Sequence, residues 1–165
     1  MGPSDTQAYD RVRHQIGYCG IWCGSCVVGN GALRELTRRY HMMTEAYDLS
    51  EWAPQDFDYS EFARGLTSIQ GIPSCPGCRA GGGRDDCEIR ACARSRGLDD
   101  CTRCADFDAC EHNGILQRMR SGAAAAGLMV RSDTRDEDEL LQEWNAAIER
   151  RWPCCVSRRT RRRVA

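Results

Sequence analysis

At 165 residues the chain has the length of one domain, and with aromatics at only 7% its apolar core is thin for that length. Twelve cysteines supply the missing staples, while a net charge of −1 argues against a uniformly basic nucleic-acid binder. No apolar run is long enough to span a membrane and the opening MGPSDTQAYDRVRHQ lacks a signal-peptide core, so a cytoplasmic protein is expected, with thiols that bind metal more readily than they pair.

Residues 1–17 read as a polar lead-in to a cysteine-rich domain over 18–155. The domain opens on YCGIWCGSC, where Cys19, Cys23 and Cys26 form a C-x3-C-x2-C group. That spacing also occurs in radical enzymes that use a cluster and S-adenosylmethionine, but the repeated strand–helix units of their barrel are missing here. Three thiols close enough to share a metal or cluster remain. A helix is predicted from about Ala32 to Tyr47, because Leu33, Leu36, Tyr40, Met43 and Tyr47 recur at three- and four-residue steps along one face. Met42 and Met43 are expected to fill core space. Residues 48–58 read as a loop, followed by a short helix near Tyr59–Leu66 with Phe62 and Leu66 inward.

The densest chemistry lies between Cys75 and Cys110, which holds seven cysteines in 36 residues, including the C-x2-C pairs Cys75/Cys78 and Cys101/Cys104. Such a turn lets two thiolates grip one ion, and a second pair completes a tetrahedron. Asp85 and Glu88 resemble a capping box for the next helix, which Gly97 ends. Cys92 lies about 140° round and about 7.5 Å along a regular helix from Cys87. Thiolates on one zinc are only about 4 Å apart. Cys87 and Cys92 therefore serve different sites, or Cys87 precedes the helix. Asp108 and Glu111 suggest the cap of a helix reaching about Arg120, with Ser121–Val130 either continuing it or connecting onward. Thr134 and Glu137 suggest the cap of a last helix that buries Leu140, Leu141, Trp144, Ala147, Ile148 and Trp152. Residues 156–165 form a basic tail.

Zinc suits closed four-sulfur sites; a [4Fe–4S] cluster is the competing occupant. All of Cys19, Cys23, Cys26, Cys75, Cys78, Cys87, Cys92, Cys101, Cys104, Cys110, Cys154 and Cys155 are candidate ligands. Of the three imidazoles, His14, His41 and His112, the last, two residues after Cys110, is a weaker nitrogen candidate, and His41 is expected on the surface. No nucleophile elbow, phosphate loop, dinucleotide fingerprint or HExxH motif is present, so no reaction can be named.

The ordered motifs CGxxCGxC (Cys19 to Cys26), CxGCR with a GGG turn (Cys75 to Gly83), CxIRxCA (Cys87 to Ala93) and RGLDDCxxC (Arg96 to Cys104) resemble a widespread cysteine-rich family of bacteria and archaea known as a domain of unknown function. The resemblance covers residues 18–155. Two departures stand out: Trp152-Pro153-Cys154-Cys155 looks like an altered form of the family's Trp–Cys–Pro–x–Cys ending, and ADFDAC lacks a proline before Cys110. The resemblance implies a small soluble metal-binding protein without an established reaction.

A mainly α domain of about five helices is therefore expected, joined by irregular cysteine turns around at least two metal–thiolate sites. The favoured function is a cytosolic accessory protein with structural zinc that presents a surface to a protein partner. An iron–sulfur enzyme or electron carrier with an open cluster at Cys19/Cys23/Cys26 is the alternative, and a metal or thiol redox sensor a third. Nucleic acid would be drawn, if at all, to the tail RRTRRR.

Overall fold

The structure, a computed structural model, describes residues 11–151. Trp152, Cys154, Cys155 and the basic tail lie outside the described residues. The fold is mainly α, with no strand among the described residues beyond two isolated bridges, Ile16 with Trp22 and Ile21 with Val130. Among the described residues, 11–13 are helical, and the helices that follow are α1 (Ala32–Ala46), α2 (Leu49–Trp52), α3 (Tyr59–Gln70), α4 (Glu88–Ser95), α5 (Asn113–Ala125) and α6 (Glu137–Arg151). Three-residue 3₁₀ turns lie between them at Cys23–Ser25, Cys78–Ala80 and Cys101–Arg103. Each opens on a cysteine. A tight turn of this kind needs few residues and leaves the thiol at its start free to point at a neighbour.

The centre of the body is the segment 16–23. Its backbone is tied to distant chain by Trp22 N–H to Met129 C=O at 2.9 Å, Arg131 N–H to Gly20 C=O at 2.8 Å and Cys101 N–H to Tyr18 C=O at 2.8 Å. One apolar cluster joins Ile16 and Trp22 to Leu140, Leu141, Trp144 and Ile148 of α6, with the Trp22 and Trp144 rings 5.6 Å apart. Full burial of such side chains contributes about 1.5–3 kcal/mol each. A second cluster joins Cys19, Ile89 of α4 and Leu116 of α5, with Cys87, Cys101 and Phe107 against it. Val12 and Ile16, inside the stretch read as a polar lead-in, are both fully buried.

Helices α1 and α3 form a hairpin between the first and second cysteine motifs. Helix α1 follows the expected bounds, and Asp58 caps α3 by accepting from Ser60 N–H and Glu61 N–H. Helix α3 runs four residues beyond the expected Leu66. The apolar stripe of α1 is not core, however. Leu36, Tyr40, Met43 and Tyr47 are exposed, and so is Met42, contrary to the core-filling role expected of the two methionines. The better-buried line of α1 is Leu33, Thr37, His41 and Thr44, with His41 Nδ1 3.1 Å from Gln70 Nε2 of α3. At 100° per residue that line is about a quarter turn from the apolar stripe.

Three expected caps are replaced. Cys87, not Asp85, is the N-cap of α4; His112, not Asp108, precedes α5. Asp136, not Thr134, accepts from Asp138 N–H and Glu139 N–H at the start of α6. Helix α5 continues through the alanines to Ala125.

Candidate metal centre

Cys92, Cys101, Cys104 and Cys110 line one cavity of about 360 Å³. Helix α4 delivers Cys92, and Gly97, in the left-handed region with φ 64°, turns the chain after it. Asp100 then sets the CTRC turn: its carboxylate accepts from Thr102 N–H at 2.8 Å and from the Thr102 hydroxyl. The turn closes through Cys104 N–H to Cys101 C=O at 3.1 Å, and Phe107 N–H returns to Cys104 C=O at 3.1 Å. Burial, then the nearby Cys19, Cys110 and Cys92 thiols, push Cys101 up to about 12. Arg96 stands beside the thiols, with Nη1 3.6 Å from Cys104 Sγ and 2.5 Å from Asp106 Oδ2.

A second gathering consists of Cys19, Cys23, Cys75, Cys78 and Cys87. Cys23 is pushed up to about 12 by burial and then by the Cys78 thiol, with Cys75 and Cys19 adding to it. Cys78 is raised chiefly by burial, against a hydrogen bond from Tyr18 N–H at 3.4 Å, and Cys87 raises it further. Cys19 is likewise raised by burial first, with Cys78 and Cys87 contributing. Glycine makes this crowding possible. A Cβ on Gly17 would lie 2.9 Å from Cys78 Sγ, and one on Gly82 would lie 2.8 Å from Cys75 Sγ. Gln15 Oε1 is buried against Gly77 without a hydrogen-bond partner. Cys78 and Cys87 also border a wider cleft of about 620 Å³ that carries Arg79, Arg90, Arg94 and Asp85.

The remaining candidates are Cys26, His112 and His41. Cys26 bonds through its backbone to Cys23 and Asn30, and the thiols that press most on Cys23 come from the Cys75–Cys78 turn and Cys19. His112 faces carboxylates, with Nδ1 3.4 Å from Glu88 and Nε2 3.6 Å from Glu111. His41 is half-buried in the hairpin and not on the surface. All ten described cysteines are free thiols, and among the described residues no three His, Cys, Asp or Glu side chains converge closely enough to hold an ion as they stand. The donor chemistry of the four-thiol cavity is of the kind soft cations prefer. Its donors come from two turns and a helix, and its nearest charged pair, Arg96 with Asp106, is already engaged.

One feature near the site had no signature in the sequence. Arg131 and Asp100 are each completely buried and form an ion pair at 3.0 Å. Arg131 Nε also donates to Asp133 C=O at 3.0 Å, and Nη2 to Arg135 C=O at 2.5 Å. The carboxylate that shapes the Cys101 turn is thus fixed by an arginine from the connection between α5 and α6. An arginine within RSDTRDEDE reads as one more surface charge. The only hint was an aspartate directly before Cys101.

A family model described as Protein of unknown function (DUF3795) matches residues 15–114, which span both thiol gatherings and stop short of Arg131. No curated protein and no solved structure matches the chain. No helix among the described residues is long and apolar enough to cross a membrane.

Proposed function

The chain belongs to the family Protein of unknown function (DUF3795), and from the way its cysteines gather we propose that it is a metal–thiolate protein with two neighbouring sites. The observation that carries this reading is the single cavity lined by Cys92, Cys101, Cys104 and Cys110. Four thiols can satisfy the tetrahedral preference of zinc without any ligand from a partner. The second site draws on Cys19, Cys23, Cys75, Cys78 and Cys87. Binding would deprotonate thiols that burial otherwise keeps neutral, so metal affinity rises with pH and loading releases protons.

Zinc in a structural role is the favoured occupant, because closed four-sulfur donor sets need no redox partner. The protein would then act in the cytoplasm as an accessory or interaction protein whose fold the metal secures. An iron–sulfur cluster is the second reading, supported by Arg96. A guanidinium 3.6 Å from Cys104 Sγ is a hydrogen-bond donor to a ligating sulfur, and such donors tune cluster potentials.

The test is metal and acid-labile sulfide analysis, with an absorption spectrum, on protein purified without oxygen. Colourless protein carrying about one zinc per four thiolates supports the first reading. Brown protein with iron and sulfide supports the second. Protein that takes up neither metal sinks both. Cys101→Ser is expected to remove one metal equivalent.

A further inference from the structure

The hairpin of α1, α2 and α3 stands apart from the thiols and carries the largest exposed apolar groups among the described residues. Tyr47 and Trp52 are 67% and 68% exposed, and Leu36, Tyr40, Met43 and Phe57 are also exposed. The groups are continuous. Leu36, Tyr40, Met43 and Tyr47 succeed one another along α1, Trp52 Nε1 donates to Tyr47 C=O at 2.6 Å, and Tyr40 meets Phe62 edge-on at 5.9 Å. Phe62 in turn meets Phe57 edge-on at 5.5 Å. Single exposed apolar residues are ordinary, but a contiguous aromatic and methionine face marks a surface made for contact.

The Tyr47–Trp52 end of this face is acidic. From Glu45 to Glu61 the chain carries six carboxylates and no basic residue. Glu45 is engaged with His41, Glu61 with Arg64, and Asp58 with the first amides of α3. Asp48, Glu51 and Asp56 are exposed and make no ion pair among the described residues. Asp48 and Glu51 flank the Tyr47–Trp52 corner, and Asp56 adjoins Phe57. The arginines of α1 lie in its first half, away from the Tyr47–Trp52 corner: Arg38 and Arg39 share Glu35, and Arg34 reaches Ile72 C=O and Ser74.

We propose that this face docks a basic amphipathic helix of a partner protein. Its apolar side would lie along Leu36, Tyr40, Met43 and Tyr47, and its arginines or lysines would reach Asp48, Glu51 and Asp56. Cations also favour the open faces of tryptophan and tyrosine. Opposite charge at the rim guides encounter and register, while the apolar stripe supplies the anchors. The proposal gives the accessory role a surface and a partner class, and it does not depend on which metal the thiols hold.

The experiment uses the full chain with its metal content measured, so a failure of the metal reading is seen separately from a failure of binding. The probe is a synthetic helix-forming peptide of about 18 residues, five turns, with leucine on one face and arginine elsewhere. A companion peptide has serine in place of leucine. Binding is read from Trp52-dependent fluorescence and by calorimetry. The leucine–arginine peptide is expected to bind, and both Met43→Ser/Tyr47→Ser and Asp48→Asn/Glu51→Gln/Asp56→Asn to weaken it about tenfold or more. These exposed substitutions should leave the circular dichroism unchanged. Absence of binding, equal binding of the serine peptide, or indifference to either set of substitutions overturns the proposal. So does a dimer that Met43→Ser/Tyr47→Ser dissociates, which assigns the face to a second copy. Binding that appears only after deletion of residues 156–165 also overturns it, assigning the face to the chain's own basic segment.

Discussion

Arg131→Met tests the buried ion pair that holds the CTRC turn. The substitution keeps an apolar stem of similar length but leaves the Asp100 carboxylate, 0% exposed, with only the Thr102 amide and hydroxyl as partners. Removing one member of a buried pair costs about 3–5 kcal/mol, because the remaining charge is not re-solvated. Arg131 also serves the Asp133 and Arg135 carbonyls and lies 3.6 Å from Glu137 Oε2; these groups are only part-buried and can turn to water, so they add little. For a chain of this length about 1 kcal/mol corresponds to about 2–4 °C in Tm, so the variant should melt roughly 6–20 °C lower at equal metal load. Asp100→Asn alone should also destabilise, whereas the double variant should lose clearly less than the sum of the two. Urea denaturation of all four proteins measures the coupling. A loss below about 1 kcal/mol for Arg131→Met, or strict additivity in the double variant, would refute the reasoning.

Gly17→Ala should destabilise by about 1–3 kcal/mol through steric overlap, since the new Cβ would lie 2.9 Å from Cys78 Sγ and no unusual backbone angle is involved; the urea midpoint reads the effect. In metal-free protein, Cys23 and Cys101 are pushed from the ordinary 9.0 up to about 12, burial being the largest cause in both. Their protonated forms therefore stabilise the fold fully below pH 9.0, and that contribution is lost as pH rises towards about 12. Denaturation of metal-free protein at rising pH should show the loss beginning near the unfolded value, and metal-loaded protein should not share it. Cys26→Ser should leave metal content unchanged while Cys78→Ser lowers it; equal losses would mean that Cys26 is a ligand after all.

What could be read from the sequence was mostly local. The stop of α4 at Gly97 and the bounds of α1 follow from residues within a few positions of the element, and both agree with the structure. The C-x2-C turns were legible for the same reason. What could not be read depends on partners far along the chain. The stripe of Leu36, Tyr40, Met43 and Tyr47 has the periodicity of a core face, but periodicity says nothing about whether a second element arrives to cover it. Helix α3 meets α1 at His41 and at the edge of Tyr40, and Leu36, Tyr40, Met43 and Tyr47 stay exposed. Asp85, Asp108 and Thr134 each have the spacing of a cap, yet the competing starts at Cys87, His112 and Asp136 prevail. Arg131 acquires its role only from Asp100, 31 positions away. The grouping of cysteines is of the same kind, because the thiols of the turn at Cys75–Cys78 act on Cys23 more strongly than Cys19 of its own motif.

The backbone ties from the segment 16–23 to Met129 and Arg131 set a schedule for the protein's synthesis. The hairpin 32–72 closes on itself and can form as soon as it leaves the ribosome, since its contacts are short in sequence. The first cysteine motif cannot, because Trp22 and Gly20 wait for residues 129 and 131 to be made. At about 5–20 residues per second, that delay is roughly 5–20 s. Throughout it, Cys19, Cys23 and Cys26 are borne on a nascent chain whose closing strands of backbone do not yet exist. On the proposed metal–thiolate reading, loading of this motif therefore follows synthesis of the chain's last third, and its thiols stay unligated by their distant partners until then.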